Sequence, residues 1–440
     1  MAMVDRQEVS PETYLEVAAP FRKRSLVLLA YYFPPANESG ALRPYRFFKY
    51  LPEHGHRTTV ITAIPQGGKG ASEIITAPDQ SRKGWSSYAA SLAQRIYPYN
   101  DRLQWVPNAV ASAESLLRAD PAPVIVSTSP PLSAHVAALC LRRRYAVKWV
   151  ADFRDPVYGN PFRLKKLARW GDRWLEQQIV SQADMVIANT DAAEAELKRR
   201  YPQASDKIRL IWNGYDPDDG IGPAAIPARG HRVLGHFGSI YGGRHPGELL
   251  ASVDRLSQRG LSSPERLRIR LIGYLEMNDG WLLRSRFREV VQAGILEYTG
   301  QVAPLDEARR EMAQSDYLLL LDVNASGAGV QVPAKLFEYI RIGRPILAWT
   351  ARNSPAERIL QNAGIPHACV YPGEMPDVVD RKVLEFLSLP NTPTPASAWF
   401  HQQFNALHQV LILLLQLFNK ALLLFKGIGI SHQDGVHIEV

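Results

Sequence analysis

Residues 330–349 read VQVPAKLFEYIRIGRPILAW, and this stretch decides how the chain is organised. Pro333 stands where a helix starts, because its missing N–H is one of those with no intrahelical partner anyway. Gly343 ends that helix, and Arg344 to Trp349 reads as a buried strand. Lys335 and Glu338 lie three residues apart and so share one helix face. A surface ion pair is one reading of them. However, Lys before Glu is the weaker order for such a pair, and Lys335 falls in the first turn, where the helix dipole is positive. An anion at the helix start, such as a phosphate, accounts better for a cation there.

The same alternation of apolar strand and amphipathic helix runs outward in both directions. Upstream, Ser25 to Tyr31 is a continuous apolar run of strand length, and Ala41 to His54 carries Leu42, Tyr45, Phe48 and Leu51 at helical spacing. Strands follow at Arg57 to Ala63, Pro123 to Ser129, Ala146 to Asp152, Asp184 to Asn189 and Lys207 to Trp212, with helices at Leu132 to Arg144, Arg163 to Ala183 and Asp191 to Tyr201. Gln66 to Pro107 is the least regular part; its aromatic residues, among them Trp85, Tyr88, Tyr97, Tyr99 and Trp105, argue against disorder, and so long an irregular segment then reads as functional, an acceptor-facing region. The run from Asn213 to Gly230 is rich in Asp, Gly and Pro and reads as a linker. A second series then begins with the strand His231 to Phe237. It continues through strands at Leu267 to Gly273, Ile295 to Thr299 and Tyr317 to Asp322, with helices near Asp279 to Ala293, Leu305 to Gln314, Ser354 to Asn362 and Pro376 to Leu387.

Such alternation defines an α/β protein with parallel sheets covered on both faces. The expected organisation is an N-terminal tail (1–24), a first Rossmann-like domain (25–212), the linker (213–230), a second Rossmann-like domain (231–395) and a C-terminal helix and tail (396–440). Ligands of such sheets lie beyond the carboxyl ends of the strands. At those ends the first domain places Gly40 in the loop after its first strand, and Asp152, Arg154 and Asp155 in a DFRDP turn. Gly40 reads equally as a close-approach position and as a plain turn glycine, and the charged turn as a site or as a cluster that stiffens a loop. The second domain offers Gly238, Ser239 and Arg244 in a glycine-rich turn before a helix, and Lys335 and Glu338. Two helix starts, a glycine-rich turn and two cations favour a bound diphosphate.

These residues also carry a family resemblance. The Lys335-Leu336-Phe337-Glu338-Tyr339 run followed by Gly343-Arg344-Pro345-Ile346 resembles the donor-site helix of retaining glycosyltransferases of family 4, which have the GT-B fold. Thr128 to Pro131 and Trp149 to Pro156 resemble the loops that border the reaction centre in a bacterial branch of that family. The resemblance implies two Rossmann-like domains facing a cleft, and transfer of a sugar with retention from a nucleotide-sugar to an acceptor hydroxyl. It implies no separate cofactor and no metal for the chemistry. Glu338 matches the glutamate that bonds the nucleotide ribose; the turn at Gly238 and Ser239, with Arg244, matches the loop that holds the diphosphate. Asp155 or Asp152 is then expected to orient the acceptor hydroxyl, with Arg154 beside them. The family's Glu-x7-Glu pattern has its first glutamate at position 330, where this chain has Val330. A GT-B protein that binds without catalysing is the alternative which that substitution raises.

Composition limits the remaining possibilities. A hydrophobic content of 46% with 21% charged residues is ordinary for a soluble globular chain of 440 residues. Cys140 and Cys369 have no metal-ligand spacing and read as small packed residues in a reducing compartment. Asp216 and Asp218 sit in a turn, where Asp serves the backbone, and do not read as a metal pair. The net charge of +8 favours an anionic partner, a nucleotide or an acidic lipid surface, while no zinc spacing or RNA-binding signature points to nucleic acid. The helix from Arg163 mixes Trp170 and Trp174 with basic residues, as an interfacial membrane helix does and as an ordinary amphipathic helix also does. The leucine-rich stretch Trp399 to Phe425 is interrupted by Gln416, Asn419 and Lys420, so it is expected to be a core or interface helix, not a span. A cytoplasmic protein, peripheral on the inner membrane face, acting on a sugar or lipid-linked acceptor, is the resulting expectation.

Overall fold

Leu26–Leu29 and Tyr317–Leu321 are apolar at every position, so both faces of such strands need cover, as a parallel sheet between helices provides. The computed structural model describes residues 25–418 except 37, 66–72, 80–100, 120–122, 161–162, 164–165, 241–245, 261–262, 264–265, 275–284, 301–304 and 323–330. Among the described residues the first domain has seven strands: β1 (Ser25–Leu29), β2 (Arg57–Thr62), β3 (Ile74–Thr76), β4 (Val124–Ser129), β5 (Lys148–Phe153), β6 (Met185–Ala188) and β7 (Ile208–Leu210). All pair in parallel, in the order β3-β2-β1-β4-β5-β6-β7. The described residues of the second form six: β8 (Arg232–Phe237), β9 (Leu267–Ile272), β10 (Leu296–Tyr298), β11 (Tyr317–Leu321), β12 (Ile346–Trp349) and β13 (His367–Val370). These too are parallel, in the order β10-β9-β8-β11-β12-β13. Each sheet reverses its building direction beside its first strand, at β1/β4 and β8/β11, which opens a crevice at the carboxyl ends. This is the two-domain Rossmann-like architecture of the GT-B type.

The helix read from residues 330–349 spans Lys335–Ile342, and Gly343 closes it with φ of 73°. A Cβ at Gly343 would also lie 2.3 Å from the Thr394 carbonyl oxygen, so both conformation and space select glycine. β9, with Arg268 and Arg270 alternating along it, lies next to the edge strand β10, whose Glu297 pairs with both.

The structure departs from the sequence reading in several places. Within the segment expected to be irregular, β3 adds a strand and Val106 opens the helix Val106–Ala119. Trp105 does not face an acceptor: it is fully buried, its indole N–H donates to the Ala77 carbonyl, and its ring meets Tyr31 edge-on. Trp85, Tyr88, Tyr97 and Tyr99 lie outside the described residues. β13 was not expected because its His-Ala-Cys-Val sequence is short and half-buried, with neither alternation nor a long apolar run.

The leucine-rich stretch divides at Asn405, whose side chain accepts from the Leu407 N–H and caps a second helix. The first helix, Ala398–Phe404, packs Phe400 and Phe404 against Phe337 in the second domain. The second, Ala406–Leu417, crosses to the first domain, where Val410, Leu413 and Leu414 join Phe47, Tyr50 and Ile211. Two segments therefore connect the domains, and they touch. Tyr215 and Phe404 bond through their backbones at 2.9 Å, and the Ala406 N–H returns a bond to the Tyr215 carbonyl at 3.0 Å. Among the described residues no helix is long and apolar enough to cross a membrane.

Candidate active site

The helix after β1, Ser39–Tyr50, carries Arg43, Arg46 and Lys49 three residues apart, which sets them along one face. That face grips the first interdomain segment. Arg43 donates to the Ile211 and Trp212 carbonyls at 3.0 and 2.6 Å, and Arg46 to the Asn213 side chain and the Gly214 carbonyl. Lys49 bonds both Asp216 and Asp218. Burial works to raise the Asp216 pKa, but hydrogen bonds from Lys49 and Tyr50 outweigh it and hold the carboxylate below its usual range. The i, i+3, i+6 spacing of these cations was the signal in the sequence that would have found the clamp.

β5 leads to the charged turn, whose members take separate places. Asp152 is fully buried and accepts two bonds at 2.9 Å from Arg43 and one at 2.8 Å from Thr128. A carboxylate with these donors and no exposure anchors the strand end to the helix; the expected contact with an acceptor has no open face there. Arg154 spreads over the turn, donating from Nε to the Ser129 carbonyl at 3.0 Å and from its terminal nitrogens to Gly40 and Pro130. Burial lowers its pKa against the opposing pull of Asp152 and Asp155. A Cβ at Gly40 would lie 2.7 Å from Arg154, so the close approach at Gly40 is made by that guanidinium. Asp155 is the member at the domain boundary: it accepts from Gln331 of the second domain, Nε2 to Oδ1, at 2.8 Å. The turn is held from behind by Glu176, a buried carboxylate accepting the Val157 and Tyr158 N–H groups.

In the second domain, the Phe237 N–H at the end of β8 donates to the Tyr339 hydroxyl at 2.9 Å, tying that strand end to the helix Lys335–Ile342. Gly238 follows with φ of 155°, and a Cβ on Gly273 would stand 2.2 Å from the Gly238 oxygen, so two glycines let β8 and β9 end against each other. Ser239 is half-buried beside them, and Arg244 lies outside the described residues. Lys335 and Glu338 form the ion pair that the sequence order disfavours, Nζ to Oε2 at 2.7 Å. It is not a surface pair: Glu338 is 8% exposed, with Arg309 3.9 Å from its other oxygen. From the first domain, Arg46 reaches the same neighbourhood. Burial pushes its pKa down to about 10, and Glu338 leads the carboxylates that oppose this, so the group stays charged at neutral pH.

The carboxyl edges of both sheets thus meet. Gln331 bridges to Asp155, Arg46 feels Glu338, and Arg358 pairs with Asp191 at the start of a first-domain helix at 2.7 Å. Next to Asp155 a cavity of about 470 Å³ runs between the charged turn and the helix Asp191–Arg200. A hollow of about 510 Å³ lies at the opposite, amino ends of the second sheet, around Arg229, Arg232 and Asp316, away from this meeting. Gln331, Arg46, Arg309 and Arg358 were not singled out in the sequence, since each acts on a partner far along the chain.

A two-domain α/β fold with polar groups of both domains converging on one cleft defines a protein of the GT-B class. Residues 44–219 match the model of Glycosyltransferase Family 4, a span running from the clamp helix through the charged turn to the linker. No curated protein matches the chain. Solved structures similar to it include sucrose-phosphate synthase from Thermosynechococcus elongatus, at 15% identity and a TM-score of 0.60, covering 92% of this chain and 99% of that one. Anabaena HepE in complex with UDP and glucose is similar at 16% identity and a TM-score of 0.57, over 90% of this chain and 100% of that one. The α,α-trehalose 6-phosphate synthase of Burkholderia multivorans is similar at 13% identity and a TM-score of 0.58, over 95% and 100%. The family match and the shared fold together support a glycosyltransferase.

Proposed function

We propose that this protein transfers a sugar from a nucleotide-sugar donor to an acceptor hydroxyl with retention of configuration, on the cytoplasmic side of a membrane and in the synthesis of an envelope polysaccharide or glycoconjugate. The observation that carries the reading is the bond between Asp155 and Gln331, because it sets a carboxylate of the first domain against the segment that leads into the helix Lys335–Ile342 of the second. The donor lies on the second domain. Its diphosphate meets the start of the helix Lys335–Ile342, the turn at Gly238 and Ser239, Lys335 and Arg244; fixed donors there stabilise the charge that develops as the diphosphate leaves. Glu338 bonds the ribose hydroxyls. The nucleotide-sugar is a co-substrate, and no further cofactor or metal enters.

The acceptor, a sugar or a lipid-linked sugar, enters over the first domain. Asp155 orients its hydroxyl and takes up the proton as the new bond forms. Asp152 and Arg154 hold Asp155 in place: one fixes the end of β5, the other ties the turn to Gly40, Ser129 and Pro130. Closure of the domains excludes water and so limits loss of the donor to hydrolysis. The relative whose structure holds UDP and glucose supports a nucleotide-sugar donor.

The test is a thermal-shift panel of nucleoside diphosphates and nucleotide-sugars, followed by measurement of nucleoside diphosphate release. A matching ligand at roughly 100 times its dissociation constant adds about 2.7 kcal/mol of stability. Binding with release supports the transfer. Binding without release under any acceptor favours the non-catalytic alternative that Val330 raises, and no binding across the panel overturns the reading.

A further inference from the structure

We propose that the outer face of the helix Lys166–Gln182, formed by Arg169, Trp170, Arg173 and Trp174, docks the protein on an anionic phospholipid bilayer. The large apolar side chains most exposed among the described residues are Leu103, Trp170, Trp174, Tyr274 and Met375, and two of the five are these neighbouring tryptophans, 78% and 58% exposed. Residues four apart lie one turn apart on the same face, so Trp170 stands over Trp174 and Arg169 over Arg173. Among the described residues neither arginine has a carboxylate within ion-pair distance; both guanidinium groups lie near the Tyr158 ring, at 5.8 and 5.9 Å. The face therefore combines two indole rings, which favour the polar–apolar boundary of a bilayer, with two uncompensated positive charges that match anionic headgroups.

This exposure is not that of a loosely held helix. The opposite face buries Ala168, Ile179 and Val180. Asp172 is bonded to Arg163 at 2.6 Å, and Glu176 holds the turn at Val157 and Tyr158. The helix is fixed on its inner side while two tryptophans remain in water on the outer one. Adjacent exposed apolar side chains rimmed by charged ones are the pattern of an interaction site.

Position supplies the reason for docking, which rests on the glycosyl-transfer reading. Tyr158, under the two arginines, also lines the cavity of about 470 Å³ that has Asp155 on its rim and Phe153, Pro156, Ala192 and Leu197 in its wall. A bilayer lying on the Arg/Trp face is thus one residue away from an apolar cavity that opens beside the proposed acceptor-binding carboxylate. An acceptor whose apolar portion is held in the same bilayer reaches Asp155 along that path.

The experiment is flotation of the full chain with phosphatidylglycerol vesicles and with phosphatidylcholine vesicles, at low and high salt, with oligomeric state measured in parallel. The expected result is binding to phosphatidylglycerol that salt weakens, with little binding to phosphatidylcholine. Arg169→Gln and Arg173→Gln should each weaken it roughly fivefold, and Trp170→Ser with Trp174→Ser should abolish it without changing the circular dichroism spectrum. Equal binding of wild type and the tryptophan variant, or no preference for the anionic vesicles, overturns the proposal. So does a wild-type dimer that the tryptophan variant splits while neither protein floats, because the face is then a contact between copies. Nucleoside diphosphate binding, followed in the same samples, keeps the two readings apart. Intact nucleotide binding without flotation rejects the docking face alone, and flotation without nucleotide binding rejects the transferase reading alone.

Discussion

Gln331 donates from its side-chain amide to Asp155 across the domain boundary at 2.8 Å, joining two residues 176 positions apart. The contact brings the end of β5 to the segment that leads into the helix Lys335–Ile342, so Asp155 and that helix border one space, where the proposed transfer would take place. If Asp155 receives the acceptor proton, Asp155→Asn keeps an oxygen for Gln331 but removes the base. Turnover should fall roughly 10²- to 10⁴-fold with nucleoside diphosphate affinity unchanged. Gln331→Ala removes only the bridge, a hydrogen bond of about 1–1.5 kcal/mol, and should lower turnover roughly tenfold. Steady-state kinetics with calorimetric binding of the nucleotide checks both; an Asp155→Asn enzyme with full turnover would falsify the assignment.

Glu338 is held by Lys335, with Arg309 nearby, in a pocket that leaves it 8% exposed. Its replacement by alanine should cost about 1.5–3 kcal/mol of nucleotide binding if the carboxylate accepts the ribose hydroxyls. The loss should be specific to the nucleoside: inorganic diphosphate should bind Glu338→Ala as well as it binds wild type, or better, because Lys335 is released. Calorimetry with nucleoside diphosphate and with inorganic diphosphate separates the terms. A variant that loses both equally assigns Glu338 to shaping the site instead of contacting the ribose.

The helix at Lys335 was legible because its signals are local: a proline near its start, an apolar face at helical spacing and a glycine that alone fits its end. Both sheets were legible for the same reason, since strands buried on two faces are written as continuous apolar runs. The role of Asp152 was not. A carboxylate at a strand end looks the same whether it meets a substrate or Arg43, and that arginine is 109 residues away. Nor does a glutamine such as Gln331 carry any periodic signal. Arg43, Arg46 and Lys49 form the intermediate case: their spacing announces a common face, but only the fold shows that the face holds the segment from Ile211 to Asp218. Ion-pair order along a helix also misled, because Lys335 and Glu338 pair despite the unfavourable direction.

His135 gives a prediction in pH. It is fully buried on the helix Ser133–Arg144, with Nδ1 bonded to the Ser127 hydroxyl at 2.7 Å and its ring 4.6 Å from that of Phe153. The indole N–H of Trp149 donates to the same Ser127 oxygen at 2.8 Å. Burial pushes its pKa down from 6.5 to about 3. Between those values the unfolded chain binds a proton that the folded chain refuses. Stability from this group is therefore complete above pH 6.5 and falls as the pH drops towards 3. The extra slope approaches about 1.4 kcal/mol per pH unit. Urea unfolding of wild type and His135→Leu across that range should give a shallower acid loss for the variant; identical slopes would show that His135 takes up its proton in the folded state.

Gly214 and Gly222 lie in the same linker and should respond in opposite ways. A Cβ on Gly214 would stand 2.1 Å from the Phe404 carbonyl oxygen, where the two interdomain segments run side by side. That neighbour is backbone, and the carbonyl accepts the Tyr215 N–H at 2.9 Å, so it has no free direction in which to move. Gly214→Ala must therefore separate the two segments, at a cost of about 1–3 kcal/mol. It should also disturb the relative placement of Asp155 and Gln331, which depends on both connections. Around Gly222 no atom lies within 4 Å of an added Cβ. Gly222→Ala there restricts mainly the unfolded chain, and it should be neutral or stabilising by up to about 1 kcal/mol. Denaturation midpoints and turnover, measured on both variants, test the pairing. If Gly214→Ala retains wild-type stability and turnover, the two segments are free to part, and the close crossing at Phe404 does not set the geometry of the cleft.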